Sequence, residues 1–204
     1  MAEPKPDPDE LYADYPHPLH DLDARSLRGL AHPLRIQLLT TLRRGGPATA
    51  SQLAEKLGES SGSTSYHLRQ LAEYGFVEDA PEHGKGRERW WKAVHNGIRL
   101  PDTVREDPDP TVRGAVSVLM HEIATTHALE HSTYVGTARD WPEEWQRAAD
   151  SSDWTLRLTP AVAAELGADI HRLLVSYDAR SAPEDAPGVE QVRIHSHIFP
   201  ITTT

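Results

Sequence analysis

Two short amphipathic stretches with almost nothing between them constrain this chain more than any other feature. Residues 49–58, "TASQLAEKLG", put Leu53, Ala54 and Leu57 on one helical face and close on Gly58. Residues 59–75, "ESSGSTSYHLRQLAEYG", follow at once. Here Ser60 is a natural N-cap, Thr64, Leu68 and Leu71 recur at helical spacing, and Gly75 stops the helix. Both helices must bury a face, and so brief a turn keeps them in contact. The second then has an outward side of small or hydrogen-bonding residues: Ser61, Ser65, Tyr66 and Arg69.

The flanks complete a pattern. Asp23 to Ala31 is expected as a helix with Ala24, Leu27 and Leu30 at helical spacing. Pro33 disfavours helical geometry at His32 but suits the first position of a new helix. That helix is expected to run to about Arg44 with Leu34, Leu38, Leu39 and Leu42 inward, until "GGP" ends it. Beyond Gly75, "FVEDA" and "ERWWKAV" read as strands joined by "PEHGKGR". Trp90 and Trp91 are expected to anchor the second strand to the core. Glycines 84 and 86 keep the joining loop thin, and it carries His83, Lys85, Arg87 and Arg89.

A helix can enter the major groove of DNA only if the side chains meeting its floor are slim and can hydrogen-bond. Ser61 and Ser65 meet that condition, and Arg69 can reach a phosphate or a guanine. A basic hairpin tip beside such a helix is placed as a wing to meet phosphates or the adjacent minor groove. Charge supports this locally. The 204-residue chain has a formal net charge of −10, yet residues 22–100 carry 12 Lys/Arg against 8 acids, while residues 1–21 and 101–204 are both acidic. The chain has no cysteine, which excludes disulfides, thiolate metal sites and thiol catalysis, and suggests a cytoplasmic protein. Neither a long apolar run nor a signal-like N-terminus is present, so no membrane partner is expected.

The segments "LAHPLRIQLLTTL", "TASQLAEKLG", "STSYHLRQLAEYGFVE" and "GRERWWKAV" resemble an ArsR-type winged helix-turn-helix transcriptional regulator, over about residues 24–95. The resemblance implies a homodimer on a palindromic double-stranded operator, often as a repressor. It places Ser61, Ser63, Ser65, Tyr66, His67 and Arg69 in recognition-helix positions. For His67 the residues alone leave a DNA contact and a packing role even. Many relatives sense metals through cysteines, which this chain lacks, and its C-terminal hundred residues exceed the minimal family member.

Three regions are therefore expected: a disordered acidic leader over 1–21, a winged helix-turn-helix domain over 22–100, and a dimerisation and possible effector region over 101–204. The fold class is mainly α with small β, the winged domain being followed by a long helix and a C-terminal α/β, strand–helix–strand region. The long helix starts at Pro110, capped by Asp109, and its stripe of Val112, Val116, Leu119 and Ile123 suggests a dimer interface. Asp140 is expected to cap a short helix in "WPEEWQRAAD". "WTLRL" then reads as a strand, Thr159 and Pro160 start a helix to about Tyr177, and "VRIHSHIF" reads as the last strand. "HEIATTH" lacks the spacing of a zinc-protease helix. His127 and His131, one turn apart, could share a metal, and His195 and His197 point to one face of the last strand; either pair could contribute to a Zn or Ni site that includes Glu130. Ordinary surface histidines are the preferred reading of both pairs, with a metal site as the alternative. No cofactor motif and no assembled acid–base or nucleophile pattern points to an enzyme. The alternatives to a DNA-binding regulator are a winged helix used only for protein interaction, which the retained cations disfavour, and a His-based metal-responsive regulator; a small-molecule effector fits either form of regulator.

Overall fold

Helix starts in this protein are set by side chains that satisfy the first free amides of each helix. The computed structural model describes residues 19–83, 88–183 and 186–202. Strand β1 (Leu19–Asp21) leads into α1 (Ala24–Leu30), where the Ser26 amide donates to Asp23 Oδ1 (2.6 Å) and the Asp23 amide donates to Ser26 Oγ (2.9 Å). Helix α2 (Pro33–Gly45) begins at Pro33, and the cap is the His32 ring, whose Nδ1 accepts from the Leu34 amide at 3.2 Å. Strand β2 (Ala48–Thr49) precedes α3 (Ala50–Leu57), capped reciprocally by Thr49 and Gln52. Gly58 stops α3 in the left-handed region, at φ 69°. Ser60 Oγ then accepts from the Ser63 amide (3.2 Å) and starts α4 (Ser61–Glu73).

The remaining strands form two small sheets. β3 (Val77–Asp79) and β4 (Trp90–Ala93) are antiparallel, with Val77 opposite Ala93, Glu78 opposite Lys92 and Asp79 opposite Trp91. β2 lies on the other side of β4, so the order is β2-β4-β3. β5 (Gly97–Arg99) pairs in parallel with β1, and Arg99 bonds the Asp21 carboxylate. Leu19 to Asp21 are thus a strand, not the end of a leader. Three residues carry too little periodicity to announce a strand whose partner lies 78 positions later.

Leu27, Leu38, Leu39, Leu53, Leu68, Leu71 and Phe76 are buried together, and Trp91 anchors β4 among them. Each such leucine contributes about 2 kcal/mol by leaving water. The inward residues expected on α4 are the ones found there; on α2 the four expected leucines are joined by Ile36, which the sequence reading left out. Gly29 on α1 lies against the Tyr74 ring, so closely that a Cβ would collide with it.

After α5 (Asp102–Arg105) comes the long helix α6 (Pro110–Thr137), with Asp109 Oδ1 accepting from the Thr111 amide at 2.8 Å. Its stripe corrects the sequence reading. Val112, Ala115 and Leu119 are buried in the leucine core of the same chain, and Val116 and Ile123 pack on it. An apolar stripe does not say which core it will serve. A core tethered a few residues away wins, because docking on it avoids the entropy of association.

The described chain up to Ser132 forms one compact unit, and from Thr133 it forms a second. The second holds a 3₁₀ turn (Ala138–Asp140), α7 (Glu143–Ala148) and α8 (Pro160–Asp178), the last capped by Thr159 Oγ1, which accepts from the Val162 amide at 3.3 Å. Asp140 lies inside the turn, and the N-cap of α7 is Pro142, with no side-chain cap bond. The strand–helix–strand expectation for this region is also corrected: residues 154–158 and 192–199 belong to no strand. Their alternating pattern is real, but a strand exists only where a partner completes its ladder. No helix among the described residues is long and apolar enough to cross a membrane.

Candidate nucleic-acid interface

Helix α4 has two unlike sides. Thr64, Leu68 and Leu71 are buried, while Ser61, Tyr66 and Arg69 are exposed and Ser63 and Ser65 half-exposed. Tyr66 is 55% exposed, high for an aromatic residue in the middle of a helix. The Arg69 Nε–H donates to the Ser65 carbonyl at 3.0 Å, which lays the side chain along its own helix. These residues share one hydroxyl-rich surface, the one the sequence indicated.

His67 departs from it. Its ring lies 4.4 Å from that of His32, centroid to centroid, and 5.1 Å edge-on from Tyr66. Its Nδ1 is buried without a hydrogen-bond partner. The ring joins α4 to the cap of α2, a packing role. Burial and then Arg35 hold His32 below the ordinary imidazole value, while burial, then His32 and Arg35, do the same to His67. Glu59 opposes both shifts, and Glu122 opposes that of His32.

The hairpin is less cationic than its sequence suggests. Lys85 and Arg87, expected at its tip, lie outside the described residues. Arg89 makes a two-pronged ion pair with Asp79, its second prong 2.7 Å long, and its guanidinium lies 4.0 Å from the centroid of the Trp91 ring. Lys92 sits 3.3 Å from Glu82 and 3.5 Å from Glu78, and Glu82 in particular raises its pKa. The His83 ring stacks over Trp90 at 5.9 Å. Each described wing cation therefore already faces a carboxylate. Sequence reasoning passed over Glu78, Asp79 and Glu82. The signal was present: two acids in "FVEDA" facing two bases in "ERWWKAV", as antiparallel pairing requires.

His127 and His131 stand one turn apart on α6, and the neighbouring Glu130 is ion-paired with Arg44. The His195 and His197 rings lie 6.5 Å apart. Among the described residues no group of three or more His, Asp or Glu side chains is assembled to hold a metal.

Residues 30–80 match the family model of a helix-turn-helix domain, from the end of α1 through the buried helix pair to the end of β3. This chain carries a helix-turn-helix domain. With β2, β4 and β3 beside it, the domain is of the winged type. Two solved structures are similar in part. The homodimeric winged helix-turn-helix DNA-binding domain of Mb0332 from Mycobacterium bovis, a possible ArsR-family transcriptional regulator, is 19% identical over 64% of this chain and 95% of that one, with a TM-score of 0.32. ZitR from Lactococcus lactis, in complex with DNA, is 18% identical over 70% of this chain and 74% of that one, with a TM-score of 0.28. No curated protein matches the chain.

Proposed function

We propose that the protein is a sequence-specific DNA-binding transcriptional regulator that acts as a homodimer, of the ArsR-like repressor type, on a palindromic operator. The observation that carries this reading is the exposed side of α4. Within a helix-turn-helix domain, Ser61, Ser65, Tyr66 and Arg69 stand on the side of the second helix that such domains turn to the major groove, opposite the buried Thr64, Leu68 and Leu71. Residues 22–100 carry the contacts to DNA, with Ser63, Lys85 and Arg87 as further candidates. Residues 101–204 supply dimerisation and any effector response. Phosphate contacts give affinity, and the α4 side chains choose the sequence.

The test is fluorescence anisotropy or gel shift on the DNA upstream of the protein's own coding sequence, repeated across salt. Binding with a log–log salt slope of several units supports the reading. No salt-sensitive binding at any promoter tested favours a winged helix used for protein interaction.

A further inference from the structure

We propose that His32 and His67 position α4 for DNA: with both rings neutral the helix is held in its binding placement, and a proton on the pair releases it, so that operator affinity falls as the solution is acidified. The inference rests on reading α4 as the helix that meets DNA, and it adds the side chains that hold it.

Three observations meet at this pair. His32 Nδ1 caps α2 by accepting from the Leu34 amide at 3.2 Å. It can accept only while it carries no proton, so the neutral ring holds its hydrogen on Nε2. The His67 ring of α4 lies 4.4 Å from the His32 ring, centroid to centroid, and His67 Nδ1 is buried with no hydrogen-bond partner. Tyr66, edge-on to His67 at 5.1 Å, continues the contact to the exposed side of α4. A cap, a ring contact and an exposed tyrosine thus link the start of α2 to the surface proposed to face DNA.

A proton added here meets three penalties. On His32 it occupies Nδ1 and sets a donor against the Leu34 amide, which is also a donor. On His67 it places charge where burial disfavours it. On either ring it stands near Arg35, whose own Nε is buried without a partner. Glu59, in the turn before α4, faces both rings, and Glu122 on α6 faces His32. Both acids favour the charged form, but burial and Arg35, and for His67 also His32, outweigh them. Tyr74 and Tyr66 face Arg35 in turn. A histidine that touches DNA behaves in the opposite sense, because its imidazolium gains a phosphate and binding tightens in acid. The sign of the pH dependence therefore separates a holding role from a contact.

Affinity for the upstream-DNA duplex is measured by fluorescence anisotropy at constant ionic strength, from pH 7.5 to 5.5, for the full wild-type chain and for His32→Asn. Asparagine is a good helix cap and does not titrate. A proton that must leave before binding lowers affinity by up to about tenfold for each pH unit below the free group's pKa, so the wild type is expected to lose about three- to tenfold relative to the variant. Far-UV circular dichroism is expected to stay unchanged in both over this range. Other histidines, His83 on the hairpin among them, titrate in both proteins and cancel in the ratio. His67→Gln, which removes the other ring, is expected to lose less than the wild type. A second readout needs no DNA: in solution NMR the Leu34 amide and the α4 amides are expected to move together in one acid step, absent in His32→Asn. Parallel affinity profiles, a wild type that tightens relative to the variant, or no shared amide step overturns the inference. Any of these beside salt-sensitive binding at pH 7.5 sinks it alone. A shared amide step in a protein that never binds DNA sinks the regulator reading and leaves the joint between α2 and α4 proton-sensitive.

Discussion

Arg69 is the exposed cation of α4, and only its Nε is held by its own helix, through the Ser65 carbonyl. Removing the guanidinium by Arg69→Ala is expected to weaken binding to the preferred site by about 1–3 kcal/mol. If the group reads a guanine, anisotropy across a set of mutated sites loses preference at one position. If it holds a phosphate, all sites weaken alike and the salt slope falls by about one. The His32–His67 contact gives a second prediction at this scale. Both imidazoles are depressed in the folded protein, so the unfolded chain binds more protons around and below the ordinary histidine pKa near 6.5. Stability is then full above that value and is lost as pH falls through the depressed folded values. Melting curves from pH 7.5 to 5 are expected to drop, and a His67→Gln variant is expected to drop less. An equal drop in the variant assigns the effect elsewhere, for instance to His20, which burial also depresses. From sequence alone a DNA contact and a packing role stood even for His67. The contact that separates them depends on where His32, 35 positions earlier, is brought by the capping of α2.

At the level of elements, the hairpin is a balance of charges. Asp79 on β3 holds Arg89, and Glu78 and Glu82 hold Lys92. A polyanion approaching this edge must compete with those carboxylates before it gains the cations. Asp79→Asn is therefore expected to tighten DNA binding a few-fold, on the order of 0.5–1 kcal/mol, the usual scale of an exposed ion pair. Titration with a fixed operator duplex checks the sign; weaker binding would show that Asp79 instead positions Arg89 for DNA. The same elements show what a sequence discloses. Helices α2, α3 and α4 were legible because each carries its own start and stop: Pro33 and "GGP", Thr49 and Gly58, Ser60 and Gly75. Their repeats are local, so no distant partner was needed to read them. The β1–β5 pair was hidden because its strands are three residues each and far apart in sequence. The two C-terminal segments failed in the opposite direction. Their alternation records a capacity to pair, and pairing depends on a partner that the pattern does not name.

Across the whole molecule, the apolar stripe of α6 was legible and its destination was not, for the same reason: periodicity gives a face but not its neighbour. That destination bears on how two copies read DNA. With Val112, Ala115 and Leu119 inside the leucine core, α6 is fixed to its own winged domain, and its residues up to Ser132 belong to the same compact unit. A dimer assembled from two such units carries two recognition helices whose separation must match half-sites about 34 Å apart, roughly 10 base pairs. Inserting five base pairs between the half-sites turns one of them to the opposite side of the duplex. Affinity is then expected to fall on the order of 100-fold, toward that of a single half-site, because the second contact no longer benefits from the first. Inserting ten restores the facing but not the distance, so recovery measures how far the joint between the copies can stretch. Binding that ignores a five-pair insertion would mean that each copy reads DNA alone, whatever holds the copies together.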